Sequence, residues 1–338
     1  MAPGRCPKRE LAYPARAAKM TTLILRGWDV RLFEIASASM RRLWALAAFA
    51  MLGACSYPDF GPTFTEDAKT LQAETFECCF DPEKFYPAPL VEIAFKIGSK
   101  SGPSTANTFY GDYYETGFPG TLTGKTEAAA AIVSHLRPLD IMVVGSTSYQ
   151  LGRMVPGRFT HAVVYIGTEA ELRAAGMWHL PELVPYHDEI RAGKTIIQSA
   201  SPDVHLMTPD KAFERDRVLA IRPSLSASER RVAMRRLLGA MGKPFNFNMA
   251  IDPTGETFAC TSLIDYAMPS LGFQRRSLYG VETVMPDDIA AQTIRGEKLQ
   301  FVTYVLGNDG PGFSYRSKFA AMVDIAAYWG IPGTQSAP

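Results

Sequence analysis

Cys260 lies near the start of Phe258 to Tyr266, FACTSLIDY, a stretch with the pattern of a short helix closed by Pro269. A thiol attacks carbonyl carbon well only as thiolate. A helix N-terminus and a neighbouring imidazolium both favour that form. A nucleophile of this kind needs a base within hydrogen-bond reach, and a third group to orient the base. Cys260 has two other possible fates, half of a disulfide or a small buried side chain. The chain has five histidines. His135 falls at a helix end, where a basic side chain suits the dipole. His179 and His187 fall in the long segment 168–194, and His205 in a short strand or turn. His161 is the second residue of a strand-like run, Thr160 to Gly167, that turns apolar after it. That places an imidazole at a strand mouth on rigid backbone. The pattern by itself favours a satisfied structural group over a base.

The other cysteines narrow the choice. The five are Cys6, Cys55, Cys78, Cys79 and Cys260. Residues 40–55, MRRLWALAAFAMLGAC, have a charged start at Arg41 and Arg42 and an apolar run over 43–54. A membrane span needs about 20 apolar residues, so this run reads as the core of a signal peptide. Its end, Leu52-Gly53-Ala54-Cys55, resembles the bacterial lipobox, which implies lipidation of Cys55. Ser56 in place of Asp implies the outer membrane, with the chain facing the periplasm. Residues 1–39 are basic, contain Pro3, Pro7 and Pro14, and hold a second methionine at Met20. Met40 is therefore the expected start, and 1–39 an upstream extension. Cys78, Cys79 and Cys260 then remain in an oxidising compartment. An odd number leaves at least one thiol free. Whether the neighbours Cys78 and Cys79 bridge each other stays open.

These side chains need elements to position them. Residues 55–125 read as a tether and irregular N-terminal segment, with one possible strand at 91–97 and a Gly, Ser, Thr and Tyr-rich loop at 101–123. Residues 126–136 read as a helix stopped by Arg137-Pro138. Short β-branched runs at 140–145, 160–167, 195–199 and 216–222 read as strands of a small antiparallel sheet, with 203–207 continuing or pairing with the third. Ser226 and Glu229 form a capping box for a helix over 227–241, with Val232, Leu237, Leu238 and Met241 on one side and a stop at Gly242. A helix at 258–268, a strand at 301–306 and a last helix at 314–329 complete an α+β fold of a sheet flanked by helices. The segment 168–194, with Trp178, His179, Pro181, Tyr186 and His187, is either a wall of a cleft or a surface excursion packed by Trp178.

Several pieces in order carry a family resemblance. LRPLDIMVV (136–144), PGRFTHAVVYIG (156–167), TIIQSASPDV (195–204), RVLAIRP (217–223), GKPFN (242–246) and MPDD (285–288) resemble the permuted papain-like amidases, the YiiX-like relatives of the NlpC cell-wall hydrolases. Members carry a GDI strand, an FSHVGIYIG strand with the catalytic histidine, a GKPYD turn, a CSELV helix with the cysteine, and then TPDD. The histidine precedes the cysteine, as His161 precedes Cys260 here. The resemblance covers about 136–310. It implies a permuted papain-like, NlpC-like domain over 126–310, followed by a C-terminal helix and tail at 311–338. It also implies a nucleophile at Cys260, a base at His161 and an orienting polar residue at Gln198. Three positions depart from the family pattern. Leu139 stands where Gly is usual, Ser262 replaces the Glu of CSELV, and Gln198 stands where Glu is common. A glutamine oxygen can accept the imidazole N–H but supplies no negative charge, so the thiolate–imidazolium pair is expected to be weaker.

Three functions fit. The first is a lipid-anchored cysteine hydrolase of amide bonds in a peptidoglycan stem peptide or similar peptide, acting through an acyl-enzyme. The second is an acyltransferase or esterase that uses the same thiol on an acyl lipid. The third is a non-catalytic binding or scaffold lipoprotein. The chain has 338 residues, 47% of them apolar, and 35 Lys and Arg against 34 Asp and Glu, formally +1. That balance offers no electrostatic footprint for nucleic acid. No metal-ligand spacing and no phosphate-cradling glycine loop is present, so no cofactor is expected.

Overall fold

Apolar alternation in the strands decides where the core forms. The computed structural model describes residues 71–79, 83, 89, 91, 120–146 and 156–331. The strands are β1 (Ile141–Gly145), β2 (His161–Tyr165), β3 (Ile196–Ala200), β4 (Asp203–Met207), β5 (Arg217–Pro223), β6 (Arg276–Leu278), β7 (Val281–Thr283), β8 (Leu299–Gly307) and β9 (Phe313–Arg316). Among the described residues, seven of them form one antiparallel sheet in the order β4-β3-β2-β1-β5-β8-β9, and β6 and β7 form a separate hairpin. The sheet is larger than the sequence suggested.

Successive side chains of a strand point to opposite faces. Ile141, Val143, Ala162, Val164 and Ile197 enter one apolar cluster, while Met142, Val144, Val163, Tyr165 and Ile196 enter another. Both faces are covered, so every residue of β1 is buried. Helices α1 (Thr126–Val133) and α4 (Pro209–Ala212) contribute to the second cluster. Helices α5 (Ala227–Gly239), α6 (Cys260–Ala267), α7 (Pro286–Arg295) and α8 (Lys318–Trp329) cover the first. Helix α5 is capped by Ser226 and Glu229 as read from sequence. Its buried side is Ala233, Met234, Leu237 and Leu238, and Val232 is exposed.

The last helix is shorter than expected. Residues 313–316 pair with β8 instead, and α8 begins only after the Ser317 side chain accepts from the Ala320 amide. The 310 boundary thus falls inside the sheet, and α8 packs Met322, Ile325 and Trp329 into the main core. Upstream, Phe76, Cys78 and Cys79 also belong to that core, so 55–125 is not only a tether. Val91 is helical, and 92–97 lie outside the described residues.

The segment 168–194 closes on itself through α2 (Glu169–Ala174) and α3 (His187–Arg191). Trp178 stacks on His187 at 3.7 Å, with the Arg173 and Arg191 guanidinium groups 5.2 and 5.3 Å from its ring. Trp178 thus packs the segment from within.

Candidate functional site

Cys260 is the first residue of α6 because Ala259 is extended (φ −85°, ψ 168°) and Ser262 closes the first turn. The Ser262 hydroxyl accepts from the Ala259 amide at 2.8 Å and donates to the Ala259 carbonyl at 3.2 Å. A third-position side chain capping the backbone ahead of a helix is half of a capping box. Serine does this work where glutamate would reach further. The residues leading into α6 are strapped down on both sides. Phe258 donates its amide to Pro244, and its carbonyl accepts from Asn246 N and Ser199 Oγ. Thr261 Oγ1 donates to the Val284 carbonyl at 2.7 Å.

The strands part where α6 begins. β2 and β3 pair only at Val164↔Ile197 and Tyr165↔Ile196. Beyond that point the Phe258–Cys260 backbone approaches both strands, and the Ala162 amide donates toward the Cys260 sulfur. His161, one residue away in β2, is bonded through Nε2 to Gln198 Oε1 at 2.8 Å. Gln198 in turn sets its amide nitrogen 2.9 Å from His205 Nε2, across the β3–β4 hairpin. Gln198 is buried, whereas Cys260 and His161 are half-buried and reach solvent. His161 and Gln198 are thus joined, and Cys260 lies against the adjoining Ala162 backbone where one helix start meets two diverging strands, with no hydrogen bond between Cys260 and His161.

Electrostatics leaves Cys260 and His161 each neutral at rest. Burial pushes the Cys260 thiol up, while the amides of Ala162, Thr261 and Cys260 and the Thr261 hydroxyl draw it back down. Burial pushes His161 down to about 4. The Arg215 guanidinium and His205 act in the same direction, and the Gln198 bond opposes them. Such a histidine makes folding pH-dependent. The unfolded imidazole takes a proton below its ordinary 6.5, and the folded one refuses it until about 4. Stability is thus fully present above 6.5 and is lost as pH falls toward 4, by about 2–3 kcal/mol from this group. Urea unfolding of wild type and His161→Gln at pH 7.5, 5.5 and 4.5 measures it. The gap between the two should narrow by that amount on acidification, and parallel curves would refute the assignment.

Two carboxylates brace the strand mouths. Asp287, in the first turn of α7, accepts from the amides of Arg158 and Phe159 and from Trp329 Nε1, each at 2.7 Å. Burial, with Asp288 beside it, pushes Asp287 up to about 7 against those three donors. Gly157 (φ +152°) permits the approach, since a Cβ there would lie 3.2 Å from the carboxylate. This bracket fixes the two residues that lead through Thr160 into His161. Asp140 is held by Arg222, Nε to Oδ1 at 3.0 Å and Nη2 to Oδ2 at 2.7 Å, and takes the Arg137 amide. Leu139 before it adopts φ +78°, a left-handed backbone that glycine occupies without steric cost.

Sequence reasoning missed His205, Arg215 and the bracket role of Asp287. Only the first had a local signal, since a two-residue turn at Ser201-Pro202 sets Gln198 opposite His205. Cys78 and Cys79 are bonded to each other, and Cys260 is the free thiol among the described cysteines. The fold brings Asp288 close to the two sulfurs, a grouping with metal-ligand atom types. The sulfurs are spent on their bridge, however, and Asp288 is bidentate with Arg276 at 2.6 and 2.8 Å. The extension expected at 1–39, the signal peptide expected at 40–54 and the lipidation expected at Cys55 lie outside the described residues. No described helix is long and apolar enough to cross a membrane.

Fold and site together define an α+β protein with a seven-stranded antiparallel sheet, a bonded imidazole–amide pair on two of its strands and a free thiol at a helix start. Compared with protein-family models, curated proteins and solved structures, the chain matches none of them.

Proposed function

We propose that this chain is a permuted papain-like cysteine hydrolase that cleaves amide bonds by way of an acyl-enzyme. The observation that carries the reading is the His161 Nε2 to Gln198 Oε1 bond at 2.8 Å, with a free cysteine at a helix N-terminus set against the next residue of β2, Ala162. With Nε2 committed to Gln198, Nδ1 is the nitrogen left to take the Cys260 proton, and the reading requires the sulfur, which makes no hydrogen bond to His161 at rest, to come within reach of it during attack. The sulfur attacks the amide carbonyl carbon, and backbone amides at the start of α6 hold the oxyanion. The imidazolium then protonates the departing amine as the carbon–nitrogen bond breaks. Water, deprotonated by His161, hydrolyses the thioester and restores the thiol. A neutral resting pair suits this order, with charge separating only during attack.

The family's departures are met locally. Gln198 supplies the acceptor for His161, Ser262 caps α6, and Leu139 occupies a backbone conformation natural to glycine. These support a catalytic reading over a binding-only one. The proposed substrate class is a peptidoglycan stem peptide or similar peptide, presented at the periplasmic face of an outer membrane to which Cys55 tethers the chain.

An iodoacetamide probe across pH 5–9 tests the site. Cys260 labelling in wild type should depend on His161 and fall by at least about tenfold in His161→Ala near neutral pH. Labelling that is unchanged in His161→Ala across the whole pH range would sink the catalytic reading. Parallel incubation with muropeptides and with phospholipid vesicles separates amide cleavage from acyl transfer on lipid.

A further inference from the structure

We infer that His205 is a positioning residue: it fixes which way the Gln198 amide faces, and so which nitrogen of His161 carries the proton. As a statement about catalysis this rests on the function proposed above; as a statement about tautomers it does not.

The Gln198 amide lies between two imidazoles. Its Oε1 is 2.8 Å from His161 Nε2 and its Nε2 is 2.9 Å from His205 Nε2. An amide nitrogen donates and cannot accept, so His205 Nε2 must carry a lone pair. The other side of the His205 ring leads to the same tautomer independently. His205 Nδ1 is 3.0 Å from the Asp203 carbonyl oxygen and 3.3 Å from the Asp203 carboxylate. Both are acceptors, so the proton sits on Nδ1. Two separate contacts thus agree.

The consequence passes along the chain of bonds. With its nitrogen turned to His205, Gln198 offers only oxygen to His161, and His161 Nε2 must be the protonated nitrogen. Nδ1 then holds the lone pair needed to accept a thiol proton. The two ends of an amide have nearly the same shape, and nothing in packing alone distinguishes them. A flipped Gln198 would point N–H at His161 Nε2, drive the proton to Nδ1 and leave no base. A carboxylate at position 198 accepts at both ends and would need no such guard. The arrangement is local, because Ala200↔Asp203 and Gln198↔His205 are both pairs of the one β3–β4 hairpin. The His205 side chain is 34% exposed, so replacing it does not open the core.

The experiment uses full-length protein carrying His205→Lys, Gln198→Glu or both, read by long-range nitrogen–proton NMR of the His161 ring and by the Cys260 alkylation rate. Lysine is donor-only and calls for an oxygen from Gln198. His205→Lys should move His161 from the Nε2–H to the Nδ1–H tautomer and slow alkylation by at least about tenfold. Adding Gln198→Glu should restore Nε2–H and most of the rate, which a general loss of structure would not allow. If the lysine variant fails to fold, His205→Phe should show both tautomers of His161. An unchanged Nε2–H tautomer in His205→Lys or His205→Phe, or an Nδ1–H tautomer in wild type, overturns the inference. Should wild-type Cys260 prove an ordinary thiol, catalysis fails, but the NMR outcome still decides the role of His205.

Discussion

Cys260→Ala is expected to lower the turnover of a cleavable muropeptide by on the order of 10⁴-fold or more, with a folded protein remaining. The large factor follows from the chemistry. Without the sulfur there is no acyl-enzyme, and the backbone amides at the α6 start can only polarise a carbonyl for direct attack by water. In the proposed mechanism nucleophile and base act as one unit, so Cys260→Ala, His161→Ala and the double variant should fall to similar residual rates. Stability should change by only about 1 kcal/mol, because Cys260 is half-buried and one sulfur leaves little void. Mass spectrometry of the digested muropeptides gives the rate, and thermal unfolding gives the control. A variant retaining activity within tenfold of wild type would remove Cys260 from the mechanism. Rates of the single variants that multiplied in the double would argue that the two residues work separately.

Asp287→Ala is expected to cost about 3–5 kcal/mol of stability, the largest effect of any single change away from the site. Its carboxylate is the shared acceptor of three donors, two of them main-chain amides just ahead of β2. Alanine leaves those N–H groups buried and unpaired, at about 1–3 kcal/mol each before relaxation. For a chain of this size the loss corresponds to a fall in Tm of about 4–7 °C. Measurement at pH 8 keeps Asp287 ionised, since its value is pushed up to about 7. Asp287→Asn should fall between the two, because one amide oxygen cannot serve all three donors. The site should suffer as well. Arg158 and Phe159 precede His161 closely, so freeing them should weaken the His161-dependent labelling of Cys260 even below the new Tm. A drop under 1 kcal/mol would show that the three donors find other partners.

Much of the fold was legible because it is local. The β-branched runs at 141–145, 161–165 and 217–223, the Ser226–Glu229 box and the helix opening at Cys260 each depend on a few adjacent residues. Where sequence reasoning failed, a long-range pairing decided the outcome. Residues 313–316 carry enough helical character to continue into 318–329, yet β8 offers an open edge and claims them as β9. Val232 fits a helical apolar stripe, but the buried side, with α6 packed against α5, is the one that bears Ala233 and Leu237. Phe76, Cys78 and Cys79 read as irregular tether, and contacts with the distant α7 region bury them.

The site divides in the same way. By itself the sequence determined the chemical types, a thiol at a helix start, an imidazole at a strand mouth and an amide in a third strand, together with the α+β class. Residue type and local periodicity determine those, and both are written in neighbouring positions. Only the tertiary structure decided that β2 and β3 part to admit Phe258–Cys260, that Asp287 pins the lead-in to His161, and that His205 backs Gln198. It also decided the protonation states, since burial sets the His161 and Cys260 equilibria and burial comes from atoms far away in the chain. Hydrogen-bond direction is a property of three groups at once, and no single position in a sequence carries it.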